Sequence, residues 1–185
     1  DRVAKHMANN PNSSDFTVGI LGTGAMGRGI AQIMATGGMQ VLLFDTNDGA
    51  AEAGREFAQR MILRAGEKGV TSDEEARAAV ARLTVVTQLS DLGGSDLVIE
   101  AVLEDLDIKR KVFTGLEEVV AEDCVLATNT SSLSVAAIAA ALNHPGRFAG
   151  FHFFNPVPLM KVVEVVNGVE TTPKTADTLV AVARR

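Results

Sequence analysis

The feature that most constrains this chain is a glycine-rich segment between a strand pattern and a helix pattern. Gly22, Gly24 and Gly27 have the spacing Gly-x-Gly-x-x-Gly and directly follow the apolar run of residues 17–21. In a βαβ unit, the first glycine permits a tight turn, the second lets the backbone approach a diphosphate, and the third lets helix and strand pack closely. The segment predicted to hold the diphosphate comprises Gly22, Gly24, Ala25, Met26 and Gly27. A glycine turn without a ligand is the alternative.

A carboxylate follows the next strand pattern at the spacing that a dinucleotide site requires. The apolar run 40–44 ends at Asp45, which lies 18 residues after Gly27. A carboxylate here accepts hydrogen bonds from the adenosine ribose hydroxyls and repels the 2′-phosphate of NADP. The next residues, Thr46-Asn47-Asp48, contain no Arg that would offset this repulsion. The combination favours NAD over NADP, and FAD stays open from the glycine fingerprint alone.

Short β-branched runs alternate with longer helical patterns along the chain. Strands are predicted at residues 17–21, 40–44, 84–86, 96–100, 124–127, 148–151 and 162–166. Helices are predicted at residues 26–35, 50–68, 72–82, 106–120 and 134–142. Runs such as 41–44 do not alternate with polar residues, as strands covered on both faces require. The pattern predicts an α/β fold with a doubly wound, mostly parallel Rossmann-type sheet and a helical-pair insertion after the second strand.

The two ends of the sequence stand outside this alternation. Residues 1–14 contain His6 and carry no strand or helix pattern, so we expect a tag or a disordered leader there. Residues 15–185 are predicted to form an NAD-binding domain. Thr172 and Pro173 form a cap-and-proline helix start, and we expect the start of a truncated helical domain at about residues 173–185.

Composition excludes several classes of function. The chain has 185 residues with 17 Lys+Arg against 23 Asp+Glu, and a formal net charge of -6. An acidic balance without a dense basic block argues against a nucleic-acid or membrane partner. No metal site is expected, because no His/Asp/Glu cluster has ligand spacing. A single cysteine, Cys124, cannot form an internal disulfide, which favours a core position for it and a cytoplasmic location for the protein.

A histidine and a glutamate form the predicted acid–base pair. Glu164 has two valines on each side, so we expect it to be buried, and an unpaired buried carboxylate costs several kcal/mol. His152, 12 residues earlier, is the best candidate partner. Such a carboxylate fixes the imidazole tautomer and supports the imidazolium, as a general base requires. A core histidine without catalytic work is the alternative.

Further polar clusters fall at predicted strand ends and on the helical pair. Residues 100–104 lead into a helix with Lys109, and residues 128–132 follow the fifth strand, so both loops should face the ligands. Ser131 and Ser132 could instead serve as helix caps alone. Arg55, Arg60, Arg64 and Lys68 give the helical pair a basic surface suited to phosphates. Packing, or solvated helix charges, would account for the same residues.

Four segments carry a more specific pattern than the glycine fingerprint. They are GTGAMGRGIA at 22–31, IEAVLED at 99–105 with Lys109, NTSSL at 129–133, and RFAGFHFFNPVPLMKVVE at 147–164. Together they resemble the 3-hydroxyacyl-CoA dehydrogenase family, including its 3-hydroxybutyryl-CoA members, over about residues 16–185. The resemblance implies an NAD-dependent oxidoreductase that converts an L-3-hydroxyacyl-CoA to the 3-ketoacyl-CoA, with an acyl-CoA as its substrate.

The resemblance also implies a role for each matching residue. The catalytic set is His152 as base, Glu164 as its carboxylate partner, and Ser131, which contacts the substrate. The cofactor-binding set is Gly22, Gly24, Ala25, Met26, Gly27, Asp45, Glu104, Lys109, Ser131 and Asn155, the last near the nicotinamide. The substrate-binding set is Ser131, Lys68 and Arg64; Lys68 matches a CoA-binding lysine, and Arg64 comes from the basic surface of the helical pair rather than from the resemblance. Met61 stands where some relatives have a CoA-contacting serine, which leaves the CoA contacts less defined.

Members of this family continue into an α-helical second domain that completes the substrate cleft and forms the dimer. We therefore expect a homodimer through a C-terminal domain that this sequence lacks, and whether this part alone is active stays open. Two alternatives remain. One is another β-hydroxyacid dehydrogenase, which would use a Lys base, and the other is a non-catalytic dinucleotide-binding or structural protein.

Overall fold

A seven-stranded sheet runs through the molecule in the computed structural model, which describes residues 10–185. The strands are β1 (Thr17–Leu21), β2 (Gln40–Phe44), β3 (Leu83–Val85), β4 (Leu97–Glu100), β5 (Val125–Thr128), β6 (Phe148–Phe153) and β7 (Val163–Asn167). Their order is β3-β2-β1-β4-β5-β6-β7, and all neighbours are parallel except β6 and β7. The strand order reverses between β1 and β4, and ligands of open α/β sheets bind at such a point. The predicted fold class is confirmed.

Helices cover both faces of this sheet. They are α1 (Ala25–Thr36), α2 (Ala50–Glu67), α3 (Asp73–Ala81), α4 (Leu106–Val119), α5 (Val135–Ala139) and α6 (Pro173–Ala183). On one face, Ile30 of α1, Ile62 of α2 and Leu179 of α6 belong to one buried apolar cluster. On the other face, Phe113 of α4 and Ile138 of α5 belong to a second. Two cores explain why β1 and β4 are buried along their whole length.

The predicted helical pair is present after β2. Helix α2 is followed by α3, which begins with a capping box: the Glu75 N–H donates to the Ser72 hydroxyl at 3.2 Å, and the Ser72 N–H donates to the Glu75 carboxylate at 3.0 Å. The box satisfies donors that the helix itself leaves free. The two helices pack against each other and α2 packs on α1, so the pair is part of the domain's body on the β2 and β3 side.

The last strand differs from the prediction in its exposure. Strand β7 is an edge strand that pairs only with β6, and Val166 is 41% exposed. The Glu164 side chain is 55% exposed, so its predicted burial is wrong. An edge strand has a neighbour on one side only, and a run of valines does not distinguish this position from a covered one. His152 also lies inside β6, whereas the sequence pattern ended that strand at residue 151.

The two ends of the described chain contact each other. Arg185 donates from Nη1 to the Ser13 carbonyl at 2.9 Å and from Nε to the Gly37 carbonyl at 3.0 Å. Helix α6, capped by Thr172, buries Leu179 against the sheet domain. His6 and residues 1–9 of the expected leader lie outside the described residues.

Other sequence expectations concern the interior and the surface. Cys124 is buried as predicted, and burial raises the pKa of its thiol to about 12. Within residues 10–185, the helices are too short or too polar to cross a lipid bilayer. In the same stretch, no group of three His, Cys, Asp or Glu side chains is arranged to hold a metal ion.

Candidate active site

The glycine turn after β1 contains two glycines required by packing and one that leaves open space. A Cβ added at Gly22, whose φ is +92°, would lie 2.6 Å from the Ala101 carbonyl oxygen, and one added at Gly27 would lie 1.8 Å from the Gly22 oxygen. A Cβ at Gly24 would meet nothing within 4 Å. The packing of β1, α1 and the loop after β4 therefore explains Gly22 and Gly27. Gly24 instead borders room for a ligand that approaches the backbone.

This turn also exposes the start of α1. Gly24 is the N-cap residue of the helix, and no side chain caps it. Both Gly24 and Ala25 are exposed. An uncapped helix start offers N–H donors and about half a positive charge to an anion. The open space at Gly24 and these donors fit the diphosphate of a dinucleotide such as NAD.

Asp45 lies at the carboxyl end of β2, next to this turn. Its Oδ2 accepts from the Thr23 N–H at 2.8 Å and from the Thr23 hydroxyl at 3.0 Å, and its Oδ1 accepts from the Asn47 N–H at 2.9 Å. Burial alone would raise the pKa of Asp45, but the hydrogen bonds from Asn47 and Thr23 lower it. A charged carboxylate therefore borders the glycine turn on the β2 side.

His152 and Glu164 face each other across β6 and β7. The two residues are paired in the antiparallel register, and Nδ1 of His152 lies 2.9 Å from Oε2 of Glu164. The predicted contact is confirmed, although Glu164 is exposed. Because Nδ1 faces the carboxylate, the Nδ1–H tautomer leaves Nε2 free to accept a proton. The pair can thus act as a base with its ring orientation fixed by the strand pairing.

A cavity of about 350 Å³ extends from His152 to the start of α1 and the loop after β4, beside the crevice between β1 and β4. It is lined by Met26, Ala101, Val102, Glu104, Lys109, Asn129, Ser131, His152, Phe153, Phe154 and Asn155. The structure therefore brings together six of the predicted site residues, namely Met26, Glu104, Lys109, Ser131, His152 and Asn155. They lie at the start of α1, in the loops after β4, β5 and β6, in the first turns of α4 and, for His152, near the end of β6 itself, which is the edge of the sheet where the sequence pattern placed them.

The predicted basic residues lie apart from this cavity. Arg64 and Lys68, at the end of α2, line a groove of about 910 Å³ whose lining also includes Met61, Pro158 and Leu159. Both basic side chains are exposed. A different residue of the predicted basic surface, Arg55, is paired with Glu52 on the same helix. The basic surface is thus narrower than the sequence suggested.

Sequence reasoning missed the groups that support these loops. Glu100, the last residue of β4, is fully buried and lies 2.7 Å from Nζ of Lys109. Asn129 accepts from the Phe153 N–H at 2.9 Å, next to His152. The rule applied to Glu164, that a carboxylate with apolar residues on both sides needs a partner, would have found Glu100, which lies between the apolar residues 97–99 and 101–103.

The alternative role for Ser131 and Ser132 as helix caps does not hold. The N-cap residue of α5 is Ser134, whose hydroxyl accepts from the Ala137 N–H at 3.2 Å. Ser131 and Ser132 lie before this cap, in an exposed loop after β5. Their position needs another physical reason.

Comparison with known proteins gives consistent matches over this domain. A family model described as 3-hydroxyacyl-CoA dehydrogenase, NAD binding domain, matches residues 17–185. The chain is 42% identical over 155 residues to the 3-hydroxybutyryl-CoA dehydrogenase of Mycobacterium tuberculosis, which covers 83% of this chain and 54% of the relative. It is 41% identical over 163 residues to the 3-hydroxyadipyl-CoA dehydrogenase of Escherichia coli, which covers 88% of this chain and 34% of the relative.

A solved structure agrees with these sequence matches. The (S)-3-hydroxybutyryl-CoA dehydrogenase of Ralstonia eutropha is 37% identical and superposes with a TM-score of 0.88 over 92% of this chain and 60% of that protein. The chain spans between a third and three fifths of the length of these three proteins.

Proposed function

We propose, since this chain belongs to the 3-hydroxyacyl-CoA dehydrogenase family and matches its NAD-binding domain, that the protein oxidises an L-3-hydroxyacyl-CoA to the 3-ketoacyl-CoA with NAD. The observation that carries the proposal is the contact of His152 with Glu164 beside the cavity that also contains Ser131. A base held by a carboxylate, next to a crevice that fits a dinucleotide, is the arrangement that alcohol oxidation needs. Relatives are named for butyryl and adipyl substrates, so the proposal covers the acyl-CoA class.

The residues of the cavity divide the proposed reaction between them. NAD, held by the glycine turn and Asp45, would supply the hydride acceptor for C3 of the substrate. Nε2 of His152 takes the hydroxyl proton as the C3–O bond becomes a carbonyl, and Glu164 stabilises the resulting imidazolium. The Ser131 hydroxyl donates to the same substrate oxygen. In the reverse direction the imidazolium returns the proton, which balances the step.

The remaining predicted residues bind and orient in this proposal. Asp45 accepts from the ribose hydroxyls, and Asn155 lies beside the nicotinamide. Arg64 and Lys68 supply positive charge to the CoA phosphates along the groove at the end of α2. We further propose a cytoplasmic homodimer that forms through a helical domain.

A turnover measurement on the full-length protein tests the proposal. NADH oxidation with acetoacetyl-CoA is measured beside two controls, free acetoacetate and NADPH. We expect turnover with the CoA thioester and NADH, and much less with either control. Binding of NADH without turnover of any 3-ketoacyl-CoA would overturn the proposal and favour a dinucleotide-binding protein without catalysis.

A further inference from the structure

One carboxylate oxygen of Glu104 accepts several hydrogen bonds from the loop that contains Ser131. Oε1 of Glu104 accepts from the Ser131 N–H at 3.1 Å and from the Ser132 N–H at 3.2 Å. The Ser132 hydroxyl donates to the same oxygen at 3.2 Å, and the Thr130 hydroxyl also donates to it. Thr130 in turn accepts from the Leu133 N–H at 3.0 Å. A loop without a cap or strand pairing at Ser131 therefore takes its conformation from Glu104.

The other oxygen of Glu104 is tied to the interior of the domain. Oε2 lies 3.1 Å from Nζ of Lys109, whose side chain is 1% exposed. The same ammonium lies 2.7 Å from Oε1 of Glu100, and Oε2 of Glu100 accepts from the Thr128 hydroxyl at 2.7 Å. The network thus spans the end of β4, the first turns of α4 and the end of β5, and its buried charges are all partnered.

The charge of Glu104 suits it to this task. Burial alone would raise its pKa, but the hydrogen bond from Thr130 and the ammonium of Lys109 lower it to about 2. Glu104 is therefore a charged acceptor at neutral pH, and hydrogen bonds to a charged group are about twice as strong as neutral ones. Lys109, unlike Glu104, makes no hydrogen bond to the loop itself within the described chain: its ammonium lies between the two carboxylates of Glu100 and Glu104 and is shielded from solvent.

We infer that Glu104 and Lys109 are positioning residues that hold Ser131 at the cavity and influence turnover through it. The inference rests on the proposed function and adds to it. It differs from a direct contact with NAD, which the family resemblance implies for the same two residues. A direct contact predicts a loss of NADH affinity on substitution, whereas positioning predicts a loss of turnover that depends on Ser131.

A double-mutant cycle in the full-length protein separates the two roles. Glu104→Gln, Ser131→Ala and the double variant are compared for kcat at saturating NADH and acetoacetyl-CoA, and for NADH affinity by fluorescence titration. We expect Glu104→Gln to lower kcat by up to about 10²-fold, the scale of a displaced catalytic group, with NADH affinity unchanged. In the Ser131→Ala background, the same substitution should cost little more.

Glu117→Gln is the matched control for the loss of a loop-binding carboxylate. Glu117 lies near the other end of α4, accepts from the Asn143 and His144 N–H groups at 2.7 and 2.9 Å, and pairs with Arg147. It resembles Glu104 in its chemistry but lies outside the cavity lining. Its substitution should leave kcat and the exchange of the Ser131 amide unchanged, even if the protein becomes less stable.

Amide hydrogen exchange gives a second measurement that does not need turnover. Glu104→Gln should speed exchange at Ser131 and Ser132, and Lys109→Met should do so as well if it stays folded. Unchanged exchange, a loss of NADH affinity alone, or kcat losses that multiply in the double variant would each overturn the inference. If the wild-type protein shows no turnover, the proposed function fails, and the exchange result still decides whether Glu104 holds the loop.

Discussion

Asp45 is held in place by the protein itself. Both of its oxygens accept hydrogen bonds, from Thr23 on one side and Asn47 on the other. Thr23 belongs to the glycine turn, so the carboxylate and the turn form one hydrogen-bonded unit. The selectivity that we propose for NAD therefore depends on a fixed negative charge, because a charge at a defined position repels a 2′-phosphate more than a mobile one.

Asp45→Asn should narrow the preference for NADH over NADPH. The amide keeps an acceptor for Thr23 but removes the charge. At contact distances, one charge–charge repulsion near the surface is worth roughly 1 kcal/mol or more, about a fivefold change in affinity. The affinities of both cofactors are measured by titration, with Asp48→Asn, an exposed neighbour, as the control. Equal losses for the two cofactors would contradict a role in selectivity.

Single residues also show where sequence reasoning succeeds and where it stops. The partnership of His152 and Glu164 was predictable, because their chemistry is complementary, Glu164 lies inside a strand pattern and His152 directly follows one. The exposure of Glu164 was not, because β7 has the same valine-rich composition as a covered strand. Glu100 shows the reverse error, since it lies in a run that is buried along its length and its carboxylate was assigned no partner.

At the scale of elements, the glycines of the turn after β1 have two different roles, one in folding and one in ligand binding. Gly24 has an ordinary backbone conformation with φ -65°, and a Cβ there meets no protein atom within 4 Å. A Cβ at Gly27 would collide with the Gly22 carbonyl. Substitution by Ala should therefore impair ligand binding at Gly24 and folding at Gly27.

Gly24→Ala should fold normally and bind NADH weakly, because the new methyl group occupies the space left for the ligand. A Gly→Ala substitution at a compatible position stabilises a protein by about 0.4–1 kcal/mol, so the thermal unfolding temperature of Gly24→Ala should not fall below that of the wild type. Gly27→Ala should lower the stability of the domain. Fluorescence titration and thermal unfolding are measured on both variants. Wild-type NADH affinity in folded Gly24→Ala would show that no ligand approaches this backbone.

Most strands and helices could be predicted because each segment of the sequence carries either a short apolar run or a helical period, and not both. The direction of β7 was also within reach, since only residues 154–162 connect it to β6 and a parallel partner needs a crossover of a dozen or more residues. The loops of the site were harder. The contacts of Glu104 with residues 130–132 join segments far apart in sequence. The hydrophobic periodicity of a sequence does not predict contacts of this kind.

At the scale of the whole molecule, lowered carboxyl pKa values link stability to pH. Hydrogen bonds lower the pKa of Glu75 and Glu104 from 4.5 to about 2, and that of Asp45 is also lowered. A group whose pKa falls on folding contributes stability above its ordinary value, and this contribution is lost as the pH falls through the folded value. The free energy of unfolding should therefore decrease between about pH 5 and pH 2.

Glu75→Gln should make this decrease less steep, since the side chain at position 75 no longer titrates. Urea unfolding is measured over the acid range for the wild type, for this variant and for Glu74→Gln, an exposed neighbour on α3. The control should keep the wild-type slope. A free energy of unfolding that does not change with pH in this range would contradict the account of these carboxylates.

The proposed reaction depends most on His152 acting as a base beside bound cofactor, and one comparison of variants tests this role. In full-length protein, kcat for NADH oxidation with acetoacetyl-CoA and NADH affinity are measured for the wild type, His152→Gln and the control His144→Gln, an exposed residue outside the cavity lining. General acid–base catalysis contributes about 10²- to 10⁴-fold. We expect His152→Gln to lose that factor in kcat with NADH affinity retained, and His144→Gln to lose neither. A kcat for His152→Gln close to that of the wild type would contradict the assignment.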